Sequence, residues 1–224
     1  MKNLKKAFFL FSLLCLVGAV QAQISIGPKF GVNIATLGGD DVEDDGLGSI
    51  IGLQFGAAAE ITINEMFAIQ PELLFFQKGF ALDFEEDFLG ETLKSENDLK
   101  LNYLEIPILA KVMFGAEGGP KFFATVGPSF GFGLSGEVES KATFGGETES
   151  ATEDIDFDDD MITKLDISLS IGAGAQFAAG PGNLFVDVRY LLGLNTTDDS
   201  GDDADVKNRG IGIAVGYLFP IGGE

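Results

Sequence analysis

Histidine is absent from the 224 residues, and cysteine occurs once, at Cys15. Without an imidazole there is no Ser-His-acid or Cys-His nucleophilic site and no histidine-ligated metal, because no other side chain titrates near neutrality without a large perturbation. A single cysteine permits no intrachain disulfide and no thiolate zinc cage. Basic residues are scarce: 14 Lys and Arg stand against 35 Asp and Glu, a formal net charge of −21. That sign is wrong for phosphate contacts and excludes nucleic acid as a partner. Tryptophan is missing, and beyond residue 22 no apolar stretch approaches the roughly 18 residues that a membrane-spanning helix requires. An integral membrane domain in that part of the chain must therefore be a closed barrel.

The chain opens with Lys2, Lys5 and Lys6, continues through "AFFLFSLLCLVGAV" and reaches "VQA" before Gln23. This is the order of a secretory signal peptide, and it predicts residues 1–22 as a cleaved leader and 23–224 as one mature domain. Cys15 lies inside the apolar run behind the bulky Leu14, which does not suit a lipoprotein cleavage site. No Pro/Ser-rich linker interrupts the remainder.

Period-two alternation recurs along that remainder. "ISIGPKFGVNIATL" sets Ile24, Ile26, Phe30, Val32 and Ile34 against Ser25, Gly27, Lys29, Gly31 and Asn33, and "IGLQFGAAAEITI" repeats the pattern over 51–63. Further strands are predicted at 66–82, 99–115, 121–135, 161–179, 184–195 and 208–219, eight in all. Tight links, "NE", "AEGGP" and "GPGN", follow the second, fourth and sixth strands. Long polar loops follow the others, and they hold most of the acidic residues: five between 38 and 48, seven between 83 and 98, ten between 136 and 160, five between 196 and 207. Short turns at one end and long loops at the other are the asymmetry of outer-membrane barrels. The predicted fold is an eight-stranded antiparallel up-and-down transmembrane β-barrel with short periplasmic turns and long acidic external loops, located in the outer membrane and monomeric. Pro28, Pro71, Pro107 and Pro128 fall inside these strands, where a closed barrel has no edge for a missing donor; bulges are the expected accommodation.

Alternation alone does not say which face meets water. In "NYLEIPILAKVMFG", Leu104, Ile106, Ile108, Ala110, Val112 and Phe114 oppose Glu105, Pro107, Leu109, Lys111 and Met113. On the fifth and sixth strands the polar face is made mostly of Gly, Ser and Ala, which suits an eight-stranded interior just wide enough to fill with side chains. The few charges on that face have both signs. Lys29, Lys111 and Arg189 are expected to pair with Glu60, Glu72, Glu105 and Asp187 in a structural ionic network inside the lumen, near the short-turn end, since an unpaired charge in a poorly hydrated interior is costly. The rival arrangement is a secreted lipocalin-type barrel with its apolar face inward.

No motif supports catalysis. "GFGLSG", Gly131 to Gly136, matches a dinucleotide fingerprint but opens no helix, so its glycines are read as lining a narrow lumen or relieving strand curvature. Glu60 with Glu72 would serve glycoside hydrolysis only in an open cleft. "DDVEDDG" at 40–46 starts like an EF-hand loop, yet its twelfth position is Gly52 where a bidentate Glu is needed. No cofactor and no defined metal site are expected, only weak multi-site divalent binding.

The stretches "GPKFGVNIATL" (27–37), "QPELLFFQKGF" (70–80), "YLEIPILAK" (103–111), "GPSFGFGLSG" (127–136), "VDVRYLLGLN" (186–195) and "GIGIAVGYLF" (210–219) resemble the PorT-like outer-membrane β-barrel family of Gram-negative bacteria. The resemblance implies an eight-stranded barrel with prolines inside its strands, and a namesake associated with protein secretion. The expected function is non-catalytic: an envelope structural, secretion-accessory or surface-binding component held by outer-membrane lipid, with cationic surface ligands, divalent cations or secretion-system proteins as partners. The alternative is a small or gated transport pore.

Overall fold

The structure is a computed structural model and describes residues 23–42, 46–88, 91–116, 118–157, 162–198 and 205–221. The leader expected at 1–22 lies outside the described residues.

Ten strands are present among the described residues: β1 (Gln23–Gly38), β2 (Leu47–Gly48), β3 (Ile50–Thr62), β4 (Phe67–Phe88), β5 (Glu91–Gly115), β6 (Lys121–Phe144), β7 (Glu147–Ile155), β8 (Leu165–Ala179), β9 (Gly182–Gly193) and β10 (Lys207–Ile221). Every pairing is antiparallel. The order β4-β3-β1-β10-β9-β8-β6-β5 closes on itself because β5 also pairs with β4. The eight strands expected from alternation are the eight of this ring. The two-residue β2 pairs with β4 at Leu47↔Leu82, and β7 pairs with β6 outside the ring.

β4, β5 and β6 are 22, 25 and 24 residues long, well beyond the 12 of β9 or the 15 of β10. They carry on into segments 83–98 and 136–160, which were expected to be loops. The pairing runs to Phe88↔Glu91 in one hairpin and Phe144↔Glu147 in the other. Alternation fails there because both faces of the projecting sheet meet water, so no apolar period is imposed.

The prolines do not produce the expected bulges. Ile26↔Phe219 and Lys29↔Gly216 keep one register across Pro28; Pro71↔Ile108 and Leu74↔Glu105 keep one register across Pro107. Each proline removes a ladder partner on one side while the pairs flanking it hold the alignment. The register shift that does occur lies between Asn102 and Tyr103, whose partners are Ser135 and Gly133, so that Leu134 is the extra residue.

Burial is inverted relative to a water-soluble fold. Lys29 and Lys111 are 1% exposed and Glu105 0%, while Phe114 is 57% and Val215 44% exposed. Along β10 the inward set is Asn208, Gly210, Gly212, Ala214, Gly216 and Leu218, and Ile211, Ile213 and Val215 point out. This rules out the lipocalin-type arrangement, in which the apolar face fills the interior.

Candidate functional site

The interior is built in charged layers. Nearest the short turns, Lys111 Nζ lies 2.6 Å from Glu60 Oε2 and 2.9 Å from Gln176 Oε1, and 4.0 Å from the centre of the Phe123 ring. Around it Ala58, Ala68, Met113, Phe123, Phe185 and Leu218 form an apolar floor. In the next layer Arg189 makes a bidentate contact with Glu72, at 2.7 and 2.8 Å, and a third bond of 2.6 Å to Asp187. Lys29 reaches the same two carboxylates at 3.2 and 3.1 Å, and Gln70 donates to Glu72 at 2.6 Å. Planar guanidinium and carboxylate groups match in two parallel bonds, which fixes orientation as well as charge.

The third layer contains two residues absent from the expected network. Lys78 bridges Glu105 at 2.8 Å and Asp166 at 2.7 Å; Ser129 donates to Glu105 at 2.6 Å, and Asn208 donates to Asp166 at 2.8 Å. Glu105 is thus paired with Lys78, a cation outside the expected set of Lys29, Lys111 and Arg189. Lys78 shares the strand parity of Glu72, six residues further up β4, so counting by face finds it. Counting by distance from the short turn leaves it out. Asp166 stands on the polar face of β8 with Ser168 and Ser170, and the same count by face includes it.

Glycines make room for these side chains. Lys29 is flanked in register by Gly56 and Gly216, Arg189 by Gly172 and Gly212, and Glu105 faces Gly131. A Cβ on Gly172 would sit 2.6 Å from Arg189 Cγ, and one on Gly131 2.7 Å from Glu105 Oε2. Glycines at these positions leave the space into which long inward side chains lie, and two of the "GFGLSG" glycines serve this way: Gly131 beside Glu105, and Gly133, which faces the Phe157 ring. Gly131→Val is expected to displace Glu105 and to destabilise the barrel by about 1–3 kcal/mol, read as a lower denaturant midpoint for the folded band on unboiled gels; an unchanged midpoint would show the space to be slack.

Two cavities within the charged layers, one bordered by Glu105, Asp187 and Arg189 and the other by Lys78, Asp166 and Asn208, each measure about 10 Å³, room for one water. Wider spaces occur at the ends. The short-turn vestibule is about 340 Å³, reaching Glu60, Lys121 and Gln176. The opposite one is about 240 Å³, lined by Leu37, Phe80, Leu99 and Val206. Phe157 packs edge-on against Tyr103 there, ring centres 5.5 Å apart.

A family model described as outer membrane protein beta-barrel domain matches residues 21–199. The chain belongs to this family. The barrel's place is the outer membrane, and its exposed apolar belt is the surface that such a place requires. No curated protein matches the chain. Among solved structures it is similar to the attachment invasion locus protein Ail of Yersinia pestis, at 19% identity over 89% of this chain and 100% of that one, TM-score 0.38. Neisserial surface protein A is similar at 14% identity, over 88% and 97%, TM-score 0.47. OprG of Pseudomonas aeruginosa is similar at 12% identity, over 90% and 97%, TM-score 0.48.

Among the described residues no group of three or more Asp or Glu is arranged to hold a metal ion. Of the acidic run at 40–46, Asp41 accepts the Asp205 backbone N–H at 2.7 Å, and Asp205 in turn accepts from Asp40 N–H; residues 43–45 lie outside the described residues. On the projecting sheet, Lys100 hydrogen-bonds Glu139 at 2.7 Å, which holds that carboxyl below the ordinary carboxylate range.

Proposed function

We propose that this outer-membrane barrel is a non-catalytic envelope component, closed through its middle by ion pairs, whose projecting acidic sheet and loops meet partners outside the cell. The observation that carries the reading is the inverted burial: apolar side chains outward, Lys29, Glu72, Lys78, Glu105, Lys111, Asp166, Asp187 and Arg189 enclosed. Lipid holds the outer face, with the short turns toward the periplasm and the leader removed on export. The enclosed charges have both signs and neutralise one another, so the interior is a structural filling. Acidic residues far outnumber basic ones at the long-loop end, where their field draws cationic peptides, basic protein surfaces and divalent cations and repels anions.

Within the family we assign the chain to the PorT-like branch, on "YLEIPILAK" and the other stretches quoted above, which makes a secretion-accessory role the leading form of the surface-binding function. The protein acts as a monomer, since the ring is complete within one chain. A small gated pore is the second reading, favoured by the vestibules at both ends. Planar-bilayer recording separates the two. The closed reading expects no discrete conductance steps from the wild-type protein, and regular steps that shift when Arg189 is replaced would establish the pore instead. Electrophoresis with and without boiling is expected to show the heat-dependent mobility of a closed barrel; a single mobility would remove both.

A further inference from the structure

Among the described residues the projecting sheet ends in a strand paired on one side. β5 pairs with β4 on one side and β6 on the other, and β6 pairs with β7 from Phe144↔Glu147 to Gly136↔Ile155. Among the described residues β7 pairs with β6 alone, and all nine of its side chains but the last are exposed. The eight ring strands are each paired on both sides.

Local geometry says which backbone groups face outward. Gly145 and Gly146 have φ of 59° and 83°, the mirror-image turn that joins hairpin strands through two residues. Such a turn makes Phe144 and Glu147 exchange hydrogen bonds, and antiparallel pairing then alternates. Thr148, Ser150, Thr152 and Asp154 therefore turn their N–H and C=O groups away from β6. Natural edges are usually blunted by lysine, proline or a bulge, and β7 has no lysine or proline. Its protection has one sign, from Glu147, Glu149, Glu153 and Asp154, which repels a second copy of the same edge and attracts a basic strand. The opposite edge, on β4, is shorter: Asp83 N–H already donates to Gly46 O, and among the described residues Phe84 to Phe88 are what remains of it.

Resting on the surface-binding reading, we infer that the outer edge of β7 is a docking edge, to which an extended lysine- or arginine-bearing segment of another protein adds as a further strand. Main-chain bonds supply the affinity in this mode, and alternating side chains supply the choice of partner. The acidic residues flank the short Thr148, Ser150 and Thr152, which leave the backbone open to close approach.

The test uses the full barrel in lipid nanodiscs and a nine-residue peptide of alternating lysine and valine. Binding is expected, and it should weaken by about tenfold or more when alternate peptide nitrogens are methylated, because the strand's donors are then lost while its charge is kept. The double variant Ser150→Pro, Thr152→Pro should weaken binding similarly, since those N–H groups face away from β6 and the hairpin survives. Binding that ignores both changes would mean attraction by charge alone, overturning the docking edge and leaving the surface-binding reading intact. Binding of no cationic peptide by the wild-type protein would overturn both. Should the proline variant fail to fold, the methylated peptide still decides.

Discussion

Lys78→Met is expected to cost about 3–5 kcal/mol of barrel stability, the range for breaking a buried ion pair by removing one partner. Lys78 is the cation that both Glu105 and Asp166 contact, and the three side chains are 4%, 0% and 1% exposed. Ser129 and Asn208 would still donate to the two carboxylates, but neutral donors do not compensate a buried charge. Methionine fills much the same volume beside the Phe76 and Tyr103 rings over which the ammonium now lies, so the loss measured is one of charge. The triple change Lys78→Met, Glu105→Gln, Asp166→Asn removes the whole cluster and should recover most of the stability. Lys94→Met is the comparison: it breaks an ion pair with Glu85 in which both side chains are more than half exposed, and exposed pairs contribute about 0–1 kcal/mol. The measurement is the folded fraction on unboiled gels across a denaturant series. Equal midpoints for the Lys78 and Lys94 variants would mean that water reaches the third layer, and the closed interior would have to be abandoned.

How far these features were legible in the amino-acid order follows from what imposes a pattern. Wherever one face of a strand meets a uniform medium, alternation appears, and the ring strands from Gln23 to Ile221 show it. The projecting residues 83–87, 92–98 and 137–154 meet water on both faces, so nothing forces a period of two. The remaining sign of strand there was local turn chemistry, Gly145-Gly146 between short polar runs. The choice between lumen and solvent rested on side-chain size: Ser168, Ser170 and Gly172 on one face leave no bulk for water-facing strands to display and fit a narrow tube. Which charge meets which needs register. Lys29 and Arg189 converge on Glu72 because β1, β4 and β9 bring them to one height around the ring, and nothing within a single strand states that. Lys78 was within reach through its parity with Glu72, and Phe157 was hidden in an acidic run whose composition argues for solvent.

The outward face makes the opposite kind of prediction, since there a charge should be costly although the position is exposed. Val215 lies midway along β10 and is paired with Phe30 on β1 and Val186 on β9, both of them exposed. In a water-soluble protein, arginine at such a site would change stability by about 0.5 kcal/mol or less. If acyl chains surround the belt, Val215→Arg should cost about 2–4 kcal/mol, the range found for arginine near the bilayer midplane. Phe144→Arg is the matched control, because Phe144 is as exposed as Val215 but stands at the tip of the projecting hairpin, where water surrounds it. The two variants should separate clearly when folded into vesicles from denaturant, with the hairpin change close to neutral. The comparison also tests where the lipid boundary falls: Ile211 and Phe219, on either side of Val215 along the same face, should give smaller penalties than Val215 itself, since the cost of a charge declines toward both interfaces. A flat profile along β10 would be incompatible with a bilayer around the ring, because only a medium that changes with depth can make one exposed apolar residue more sensitive than the next.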